Sequence, residues 1–199
     1  MNNFTISSRK YRPNNFNEIL GQNHIITTIK NAIKKNKLAQ SLLFCGPRGV
    51  GKTTSARILA KTINCKNINN NIEPCNLCSS CKNFNNKNSL NIYELDAASN
   101  NSVEDIRSLI NQINYIPQYG KYKIYIIDEV HMLSNSAFNA FLKTLEEPPK
   151  HVIFILVTTN QNKIIPTILS RCQIFNFYKI KNNDIVKNLK DIANKENIK

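Results

Sequence analysis

Eight residues, GPRGVGKT from Gly46 to Thr53, have types and spacing that predict phosphate binding. They match the pattern G-x4-G-K-[ST] between a predicted strand and a predicted helix, the context that this motif requires. Glycines let backbone N–H groups curl around phosphate oxygens, and the helix N-terminus adds its positive end. Lys52 would reach the β- and γ-phosphates, and the Thr53 hydroxyl would bind Mg2+. The predicted phosphate-binding residues are Gly46, Pro47, Arg48, Gly49, Val50, Gly51, Lys52, Thr53 and Thr54.

Two adjacent carboxylates, Asp128 and Glu129, end the apolar segment KIYIIDE. Such a segment predicts a buried strand that would aim Asp128 at the magnesium ion. Glu129 would then orient and activate a water molecule. The alternative, an acidic pair on the surface, is disfavoured because two neighbouring carboxylates after a buried strand would repel each other without compensation. The sequence therefore predicts ATP hydrolysis as well as binding.

Polar residues also follow a later apolar strand, in the segment LVTTN. At the carboxyl edge of a parallel sheet, Thr158, Thr159 or Asn160 would lie beside the phosphates and bond water or the γ-phosphate. The same three residues equally fit a turn. Further on, ILSRC places Arg171 beyond the strands of the local site. This arginine would serve the γ-phosphate of a neighbouring subunit in trans, or else form a surface ion pair.

Four of the six cysteines have the spacing C-x9-C-x2-C-x2-C within an asparagine-rich insertion, residues 65–81. In a reducing compartment, clustered thiols favour metal ligation over disulfides. Four thiolates would complete a tetrahedron around Zn2+ with no open position, which predicts a structural site. Cys45 and Cys172 are expected to be packed thiols. The predicted zinc ligands are Cys65, Cys75, Cys78 and Cys81.

Strands and helices must alternate to position these residues, which predicts an α/β fold with a parallel sheet covered on both faces. The predicted strands are SLLFC, LNIYELD, KIYIIDE, HVIFILVTTN and QIFNFY. Helices are predicted between them, one of them beginning at Ser102 with Asp105 three residues later. The insertion shows no clear period. We expect a nucleotide-binding domain over residues 1–179 and the beginning of a helical domain over 180–199. Its helix would have an apolar face formed by Ile185, Leu189 and Ile192.

The composition is that of an ordinary globular chain with a strongly basic balance. The 199 residues are 41% hydrophobic, enough for a core that needs no disulfides. Lys and Arg number 27 against 13 Asp and Glu, and the net charge of +14 favours polyanionic partners such as nucleic acid. Heavy use of Lys, Asn and Ile throughout fits an AT-rich genome equally well. No apolar run is long enough for a membrane span, so a cytoplasmic protein is expected.

Seven segments, in order, resemble the gamma/tau subunit of bacterial DNA polymerase III, the AAA+ ATPase of the clamp loader. They are RKYRPNNFNEILGQNHI, GPRGVGKTTSARILAK, the cysteine insertion, ELDAASN, IIDEVHMLS, FNAFLKTLEEPP and ILSRC, and the resemblance runs from about Ser8 to the end. It implies a RecA-like αβα domain followed by a small helical lid. It also implies Walker A and Walker B roles for the phosphate loop and the acidic pair, a sensor 1 role for Thr158 or Thr159, and an arginine finger at Arg171. Residues matching the family's adenine-side segment are Tyr11, Arg12, Pro13, Gly21 and Gln22.

The function implied by this resemblance is the ATP-driven loading of the sliding clamp onto primed DNA, with no polymerase site in this chain. The implied partners are delta-type and delta-prime-type subunits, further copies of the chain, the clamp, primed DNA and, through parts not present here, the polymerase core. The family's sensor 2 arginine and collar domain are not present in these 199 residues. The chain by itself is therefore expected to bind ATP less tightly and to assemble poorly. Basic residues follow the DAAS segment in some relatives, whereas here Asn100, Asn101 and Ser102 do, leaving Arg107 as the candidate DNA contact.

Other functions fit less well. A helicase is suggested by DEVH, but 199 residues cannot contain two RecA-like domains and the further motifs. A non-hydrolysing structural subunit would lack the lysine or the acidic pair, whereas Lys52, Asp128 and Glu129 are all present. The sequence leaves open a decayed ATP-binding stub of the loader.

Overall fold

A computed structural model describes residues 7–100, 102–117 and 120–196. Five parallel strands form one sheet: β1 (Ser41–Cys45), β2 (Ile92–Asp96), β3 (Lys123–Asp128), β4 (Val152–Thr158) and β5 (Gln173–Asn176). Their order across the sheet is β2-β3-β4-β1-β5. Cys45 pairs with Thr158, and Asp96 pairs with Asp128, so the carboxyl ends of neighbouring strands are level. This register places the phosphate loop, the acidic pair and the polar end of β4 at one edge of the sheet.

The helices follow the predicted alternation with the strands. They are α1 (Ser7–Lys10), α2 (Asn23–Lys34), α3 (Lys52–Ile63), α4 (Ser79–Asn85), α5 (Val103–Ile113), α6 (Asn135–Glu146), α7 (Pro166–Leu169) and α8 (Asn182–Lys195). Short 3-10 turns lie at Phe16–Glu18, Val130–Met132 and Gln161–Lys163. The described chain therefore has the predicted α/β architecture.

Apolar residues fill both faces of the sheet because successive strand residues point to opposite sides. Leu42 and Phe44 of β1 pack with α2 and α3, whereas Leu43 and Cys45 pack with α5 and α6 on the other face. Both faces of β4 are covered in the same way, and all seven of its residues are buried. This explains why the central strands are continuous apolar runs rather than alternating ones.

Helix boundaries follow the signals in the sequence. Ser102 and Asp105 form the predicted capping box at the start of α5. The helix α6 ends at Glu146, just before Pro148 and Pro149, because proline cannot continue a helix. Two helices were not predicted, the single-turn α1 and α4. The helix α4 lies inside the cysteine insertion, where the sequence shows no period. Its seven residues bury Cys81 and Phe84, so tertiary contacts stabilise a helix too short to carry a readable pattern.

The helix α8 lies on the surface of the protein, and none of its residues is fully buried. Its predicted apolar face is largely open, since Ile185 is 39% and Leu189 is 58% exposed. Ile192 differs because it lines a cavity beside the phosphate loop. No helix among the described residues is long and apolar enough to cross a membrane.

Candidate functional site

The phosphate loop connects β1 to α3 in a conformation that depends on glycine. Gly46 has φ of +147°, and a Cβ atom there would lie 2.4 Å from the carbonyl oxygen of Phe177. Gly51 has φ of +95° at the N-cap of α3, a left-handed conformation that side chains rarely adopt. The N–H of Gly46 donates to the carbonyl of Thr158, which ties the loop to the end of β4. The sequence motif is thus folded as a loop at a helix N-terminus.

Lys52 and Thr53 open α3 and face the acidic end of β3. The Lys52 Nζ donates to the Pro47 carbonyl at 2.6 Å, so the ammonium lies over the loop. Burial lowers the pKa of Lys52, and the carboxylates of Glu129 and Asp128 oppose that shift. The Thr53 hydroxyl donates to Oδ2 of Asp128 at 2.8 Å. The two halves of the predicted site therefore meet, with a hydroxyl and a carboxylate side by side.

Glu129 is held by residues from the end of β4. Its Oε2 accepts from the hydroxyl and the N–H of Thr159 at 2.8 and 3.2 Å, and lies 3.3 Å from Nδ1 of His131. Its Oε1 lies 3.9 Å from Nε of Arg48, whose side chain is 88% exposed. The backbone of Glu129 is left-handed, with φ of 47°, a strained conformation of the kind found at functional sites. This geometry turns the carboxylate toward β4.

The two threonines that end β4 have different surroundings. Thr158 is fully buried, and its hydroxyl lies 3.0 Å from Nδ1 of His131 and accepts from the N–H of Asn160 at 3.1 Å. Thr159, not Thr158, contacts the Glu129 carboxylate. The sequence left Thr158, Thr159 and Asn160 open as sensor 1 candidates and did not identify His131. The only sequence signal for His131 is its position two residues after Glu129.

Arg171 follows α7 and does form a surface ion pair. Its Nη2 lies 2.7 Å from Oε1 of Glu146, and its Nη1 donates to the Thr167 carbonyl at 2.7 Å. Its side chain is 34% exposed. Among the described residues, Arg171 is not part of the lining of the cavity beside the phosphate loop. The structure therefore places this arginine on the surface, apart from the other predicted site residues.

A cavity of about 610 Å³ lies beside the phosphate loop, within the size range of nucleotide and cofactor sites. The predicted adenine-side residues Tyr11, Arg12 and Pro13 line it together with the loop residues 49–54. The helix α8 adds a wall that the sequence did not predict, formed by Asn188, Asp191, Ile192 and Lys195. Glu196 joins this helix to the N-terminal segment, because its Oε1 accepts from Tyr11 Oη at 2.5 Å and Lys10 Nζ at 2.6 Å.

Gly21 and Gln22, also expected on the adenine side, do not belong to the lining of the cavity among the described residues. Gln22 is fully buried, donates to the Tyr178 carbonyl at 2.7 Å and accepts from the Tyr178 N–H at 3.3 Å. Gly21, with φ of +70°, packs against Ile180. These contacts hold the segment that follows the cavity-lining residues 11–14 against the chain after β5.

The four cysteines of the insertion converge on one point. Their Sγ atoms all lie within 4.8 Å of one another, with Cys65 Sγ 3.5 Å from Cys75 Sγ and 4.0 Å from Cys78 Sγ. Zn–S bonds of about 2.3 Å in a tetrahedron imply S–S separations of about 3.8 Å, which these distances fit. The N–H groups of Cys75 and Cys78 donate to the Sγ atoms of Cys65 and Cys75. All four are free thiols, so the donor set fits a closed metal centre.

Thiolate character is uneven across this cluster. Burial opposes ionisation of Cys78, but hydrogen bonds from the backbone N–H groups of Cys81 and Lys66 bring its pKa to about 6. Burial raises the pKa of Cys81, which is fully buried. Outside the cluster, burial raises the pKa of Cys45 to about 11 and that of Cys172 to about 12. Cys45 belongs to the core on the α5–α6 face of the sheet, and Cys172 is partly buried against that core, as predicted for packed thiols.

The sheet order, the loop after β1 and the acidic pair after β3 define an AAA+ protein with a RecA-like αβα fold. Among solved structures, the RuvB Holliday junction branch migration motor of Thermotoga maritima matches 95% of this chain and 56% of its own, with a TM-score of 0.66 and 19% identity. A DNA polymerase III gamma subunit-related protein of the same organism matches 85% of this chain and 51% of its own, with a TM-score of 0.54 and 22% identity. These likenesses support the fold.

The sequence comparisons narrow this class to one family. A family model described as DNA polymerase III, delta subunit, matches residues 21–181. Over 98% of this chain, the DNA polymerase III subunit gamma of Buchnera aphidicola subsp. Baizongia pistaciae is 48% identical. The tau subunits of Bacillus subtilis and Escherichia coli are 48% and 43% identical over 96% and 98% of the chain. The chain therefore belongs to the DNA polymerase III gamma/tau family, as its motifs predicted. It spans 53%, 34% and 30% of these three relatives, respectively.

Proposed function

We propose that this chain is an ATP-binding and ATP-hydrolysing motor subunit of the DNA polymerase III clamp loader, which places the sliding clamp on primed DNA during replication. The observation that carries the proposal is the 2.8 Å hydrogen bond between Thr53 Oγ1 and Asp128 Oδ2. It joins the phosphate loop to the acidic end of β3, so two oxygen ligands suited to Mg2+ lie together. Family membership supports the replication role.

ATP would occupy the cavity between the phosphate loop and α8. The backbone of Gly46–Thr54 would hold the phosphates, and the Lys52 ammonium would neutralise the β- and γ-phosphates. Tyr11, Arg12 and Pro13 would lie on the adenine side of this cavity. Thr53 and Asp128 would hold Mg2+, which supplies positive charge to the phosphates when bound.

Hydrolysis would depend on the Glu129 carboxylate, which would orient and polarise the attacking water. Thr159 fixes this carboxylate by two hydrogen bonds, and we assign it the sensor 1 position in place of Thr158. Thr158 would support the site indirectly, through its contact with His131. Arg171 would act on the γ-phosphate bound to a neighbouring subunit, after exchanging its Glu146 ion pair for the phosphate.

The cysteine cluster would hold one structural Zn2+ through Cys65, Cys75, Cys78 and Cys81. Its support is the convergence of four Sγ atoms within 4.8 Å, together with the backbone N–H groups that donate to two of them. With all four positions filled by thiolates, the ion would have no site for a substrate or water. Its role would be to fold the insertion rather than to catalyse a reaction.

The partners proposed for this chain follow from its family. They are delta-type and delta-prime-type subunits, further copies of the chain, the sliding clamp and primed DNA, with the polymerase core reached through parts outside this chain. A subunit of a DNA polymerase III complex would work in the cytoplasm, where the bacterial chromosome lies. Arg107 is exposed on α5 and remains the proposed DNA contact. Asn101, in the run Asn100–Ser102 that follows the DAAS segment, lies outside the described residues.

The test separates binding from hydrolysis. Glu129→Gln in the natural full-length protein should lower the ATPase rate constant at least about a hundredfold, the contribution of a general base. Binding of a fluorescent ATP analogue should change little, because the phosphate contacts come from other residues. Glu104→Gln, at an exposed carboxylate of α5, is the matched control. An unchanged ATPase rate for Glu129→Gln would refute the hydrolytic role and favour an ATP-binding structural subunit.

A further inference from the structure

A buried carboxylate in the cysteine insertion has no part in the ATP site described above. Glu73 lies between Cys65 and Cys75 and is 5% exposed. Its Oε2 accepts from the N–H of Phe16 at 2.7 Å. Its Oε1 accepts from the N–H of Asn17 at 3.2 Å and from Lys30 Nζ at 2.5 Å. One carboxylate thus satisfies three donors from the N-terminal segment and α2, contacts that become costly to lose once buried.

The backbone donors belong to the segment that forms the nucleotide cavity. Residues 11–14 line the cavity, and the 3-10 turn Phe16–Glu18 follows them directly. A second contact lies beside the first, because Nδ2 of Asn76 donates to Oδ1 of Asn15 at 2.8 Å. The insertion therefore contacts three consecutive residues, 15–17, immediately after the cavity-lining residues 11–14. The same Asn76 accepts from Lys61 on α3 at 2.6 Å, which ties the insertion to the phosphate-loop helix.

The local chain directs Glu73 inward. Oδ1 of Asn69 accepts from the N–H groups of Asn71 and Glu73, and closes a tight loop. Ile72 has φ of 57°, a strained conformation for a β-branched residue that reverses the chain just before Glu73. The cysteine cluster clamps both sides of this loop, since Cys65 precedes it and Cys75 follows two residues after the carboxylate. Closing the cluster would lower the entropy of the intervening loop and so favour the inward position of Glu73.

We propose that Glu73 is a positioning residue through which the cysteine cluster holds residues 11–14, the N-terminal wall of the nucleotide cavity. Loss of this carboxylate, or of the metal that closes the cluster, would loosen residues 11–18 and weaken ATP binding. It would leave turnover of bound ATP nearly unchanged, because Lys52, Asp128 and Glu129 are positioned by α3 and β3. A change in ground-state binding alone raises KM and spares kcat. The proposal rests on the ATPase function proposed above.

The main variant is Glu73→Gln in the zinc-loaded natural full-length protein. Glutamine keeps the size of the side chain but has one acceptor oxygen for three donors, so at least one donor is left unpaired. We expect about a tenfold increase in the KM for ATP and in the Kd of a fluorescent ATP analogue, the size of one lost charge-assisted bond. The kcat should stay within about twofold of the original value.

A milder variant guards against loss of folding. Asn76→Gly removes the amide that contacts both Asn15 and Lys61, while Lys61 Nζ keeps Oδ1 of Asn85 as an acceptor at 3.4 Å. Glycine suits the φ of 56° at this position. It should raise the KM for ATP in the same direction as Glu73→Gln. The matched control is Asn36→Gly, because Asn36 has φ of 51° on an exposed turn after α2. This control should leave both kcat and KM unchanged.

Hydrogen exchange without nucleotide supplies a readout independent of ATPase activity. The N–H groups of Glu18 and Ile19 donate to the carbonyls of Asn15 and Phe16, not to Glu73. They should exchange faster in Glu73→Gln and in Cys78→Ser than in the original protein or in Asn36→Gly. If the original protein bound no ATP, the ATPase proposal would fail, and these amides would still test the coupling.

Two outcomes would overturn the inference. The first is a lower melting temperature for Glu73→Gln with unchanged KM and unchanged exchange at Glu18 and Ile19, which would make Glu73 a purely structural residue. The second is an increase in KM for the double variant, Glu73→Gln with Cys78→Ser, that equals the product of the two single increases. Residues acting through one element are non-additive, so the double variant should match the larger single effect.

Discussion

The hydroxyl of Thr53 donates to Oδ2 of Asp128 at 2.8 Å, although the two residues are 75 positions apart in the chain. This contact joins the first turn of α3 to the last residue of β3. It brings one neutral and one charged oxygen to the mouth of the phosphate loop, an arrangement suited to Mg2+ with phosphate oxygens as further ligands.

Thr53→Ala should raise the Mg2+ concentration needed for half-maximal ATPase activity about tenfold, because it removes one of the two protein ligands proposed for the ion. The measurement is a titration of ATPase rate against Mg2+ at fixed ATP. Thr28→Ala, an exposed threonine of α2, is the matched control. An unchanged Mg2+ requirement would show that Thr53 is not a ligand.

Lys52→Ala should abolish ATP turnover, with a loss of at least about a hundredfold, because the ammonium would neutralise charge on the β- and γ-phosphates. Binding of a fluorescent ATP analogue should weaken as well. Lys37→Ala removes an exposed lysine after α2 and should change neither quantity. Normal hydrolysis by Lys52→Ala would mean that the phosphate-loop assignment is wrong.

The two threonines at the end of β4 should respond differently to replacement by valine. Thr159→Val removes the hydroxyl that fixes Glu129 and should lower kcat about tenfold with little change in melting temperature. Thr158→Val removes the hydroxyl that contacts Nδ1 of His131 and accepts from the Asn160 N–H, and should cost about 1–3 kcal/mol of stability. Each variant controls for the other, and the reverse pattern would return the sensor role to Thr158.

Cys78→Ser should abolish the proposed zinc binding, because serine replaces one of the four clustered thiols that would ligate the ion. Metal analysis of the purified protein should find about one zinc per chain in the original and much less in the variant, with a lower melting temperature. Cys172→Ser should keep the metal, since Cys172 is not one of the four clustered cysteines and packs against the core on the α5–α6 face of the sheet. A full zinc content in Cys78→Ser would contradict the four-thiolate assignment.

Arg171→Ala should slow ATP hydrolysis in the assembled loader without weakening ATP binding to its own chain, because the arginine would act on a neighbour. Mixing Arg171→Ala with Glu129→Gln chains should restore some activity, since some interfaces in mixed rings pair an intact Arg171 with an intact Glu129. Each variant alone should stay slow. An Arg171→Ala assembly as fast as the original would refute action in trans.

Much of the fold could be predicted from the sequence, because the patterns that indicate its strands and helices are local. A strand buried on both faces must be apolar along its whole length, so β1, β3 and β4 stand out in the sequence. The start of α5 is encoded within four residues by Ser102 and Asp105. The helix α4 carries no such signal, since its stability comes from burying Cys81 and Phe84 against other elements.

The sequence by itself determined the phosphate loop, the acidic pair and the four thiols, because each is a short pattern whose chemistry follows from residue type and spacing. Only the tertiary structure decided that Thr159 rather than Thr158 contacts Glu129, that α8 forms a wall of the cavity, and that Glu73 holds Phe16. Glu73 and Phe16 are 57 positions apart, and Tyr11 and Glu196 are 185 apart. Such contacts depend on how helices, strands and loops pack against one another, and a local sequence pattern does not contain that information.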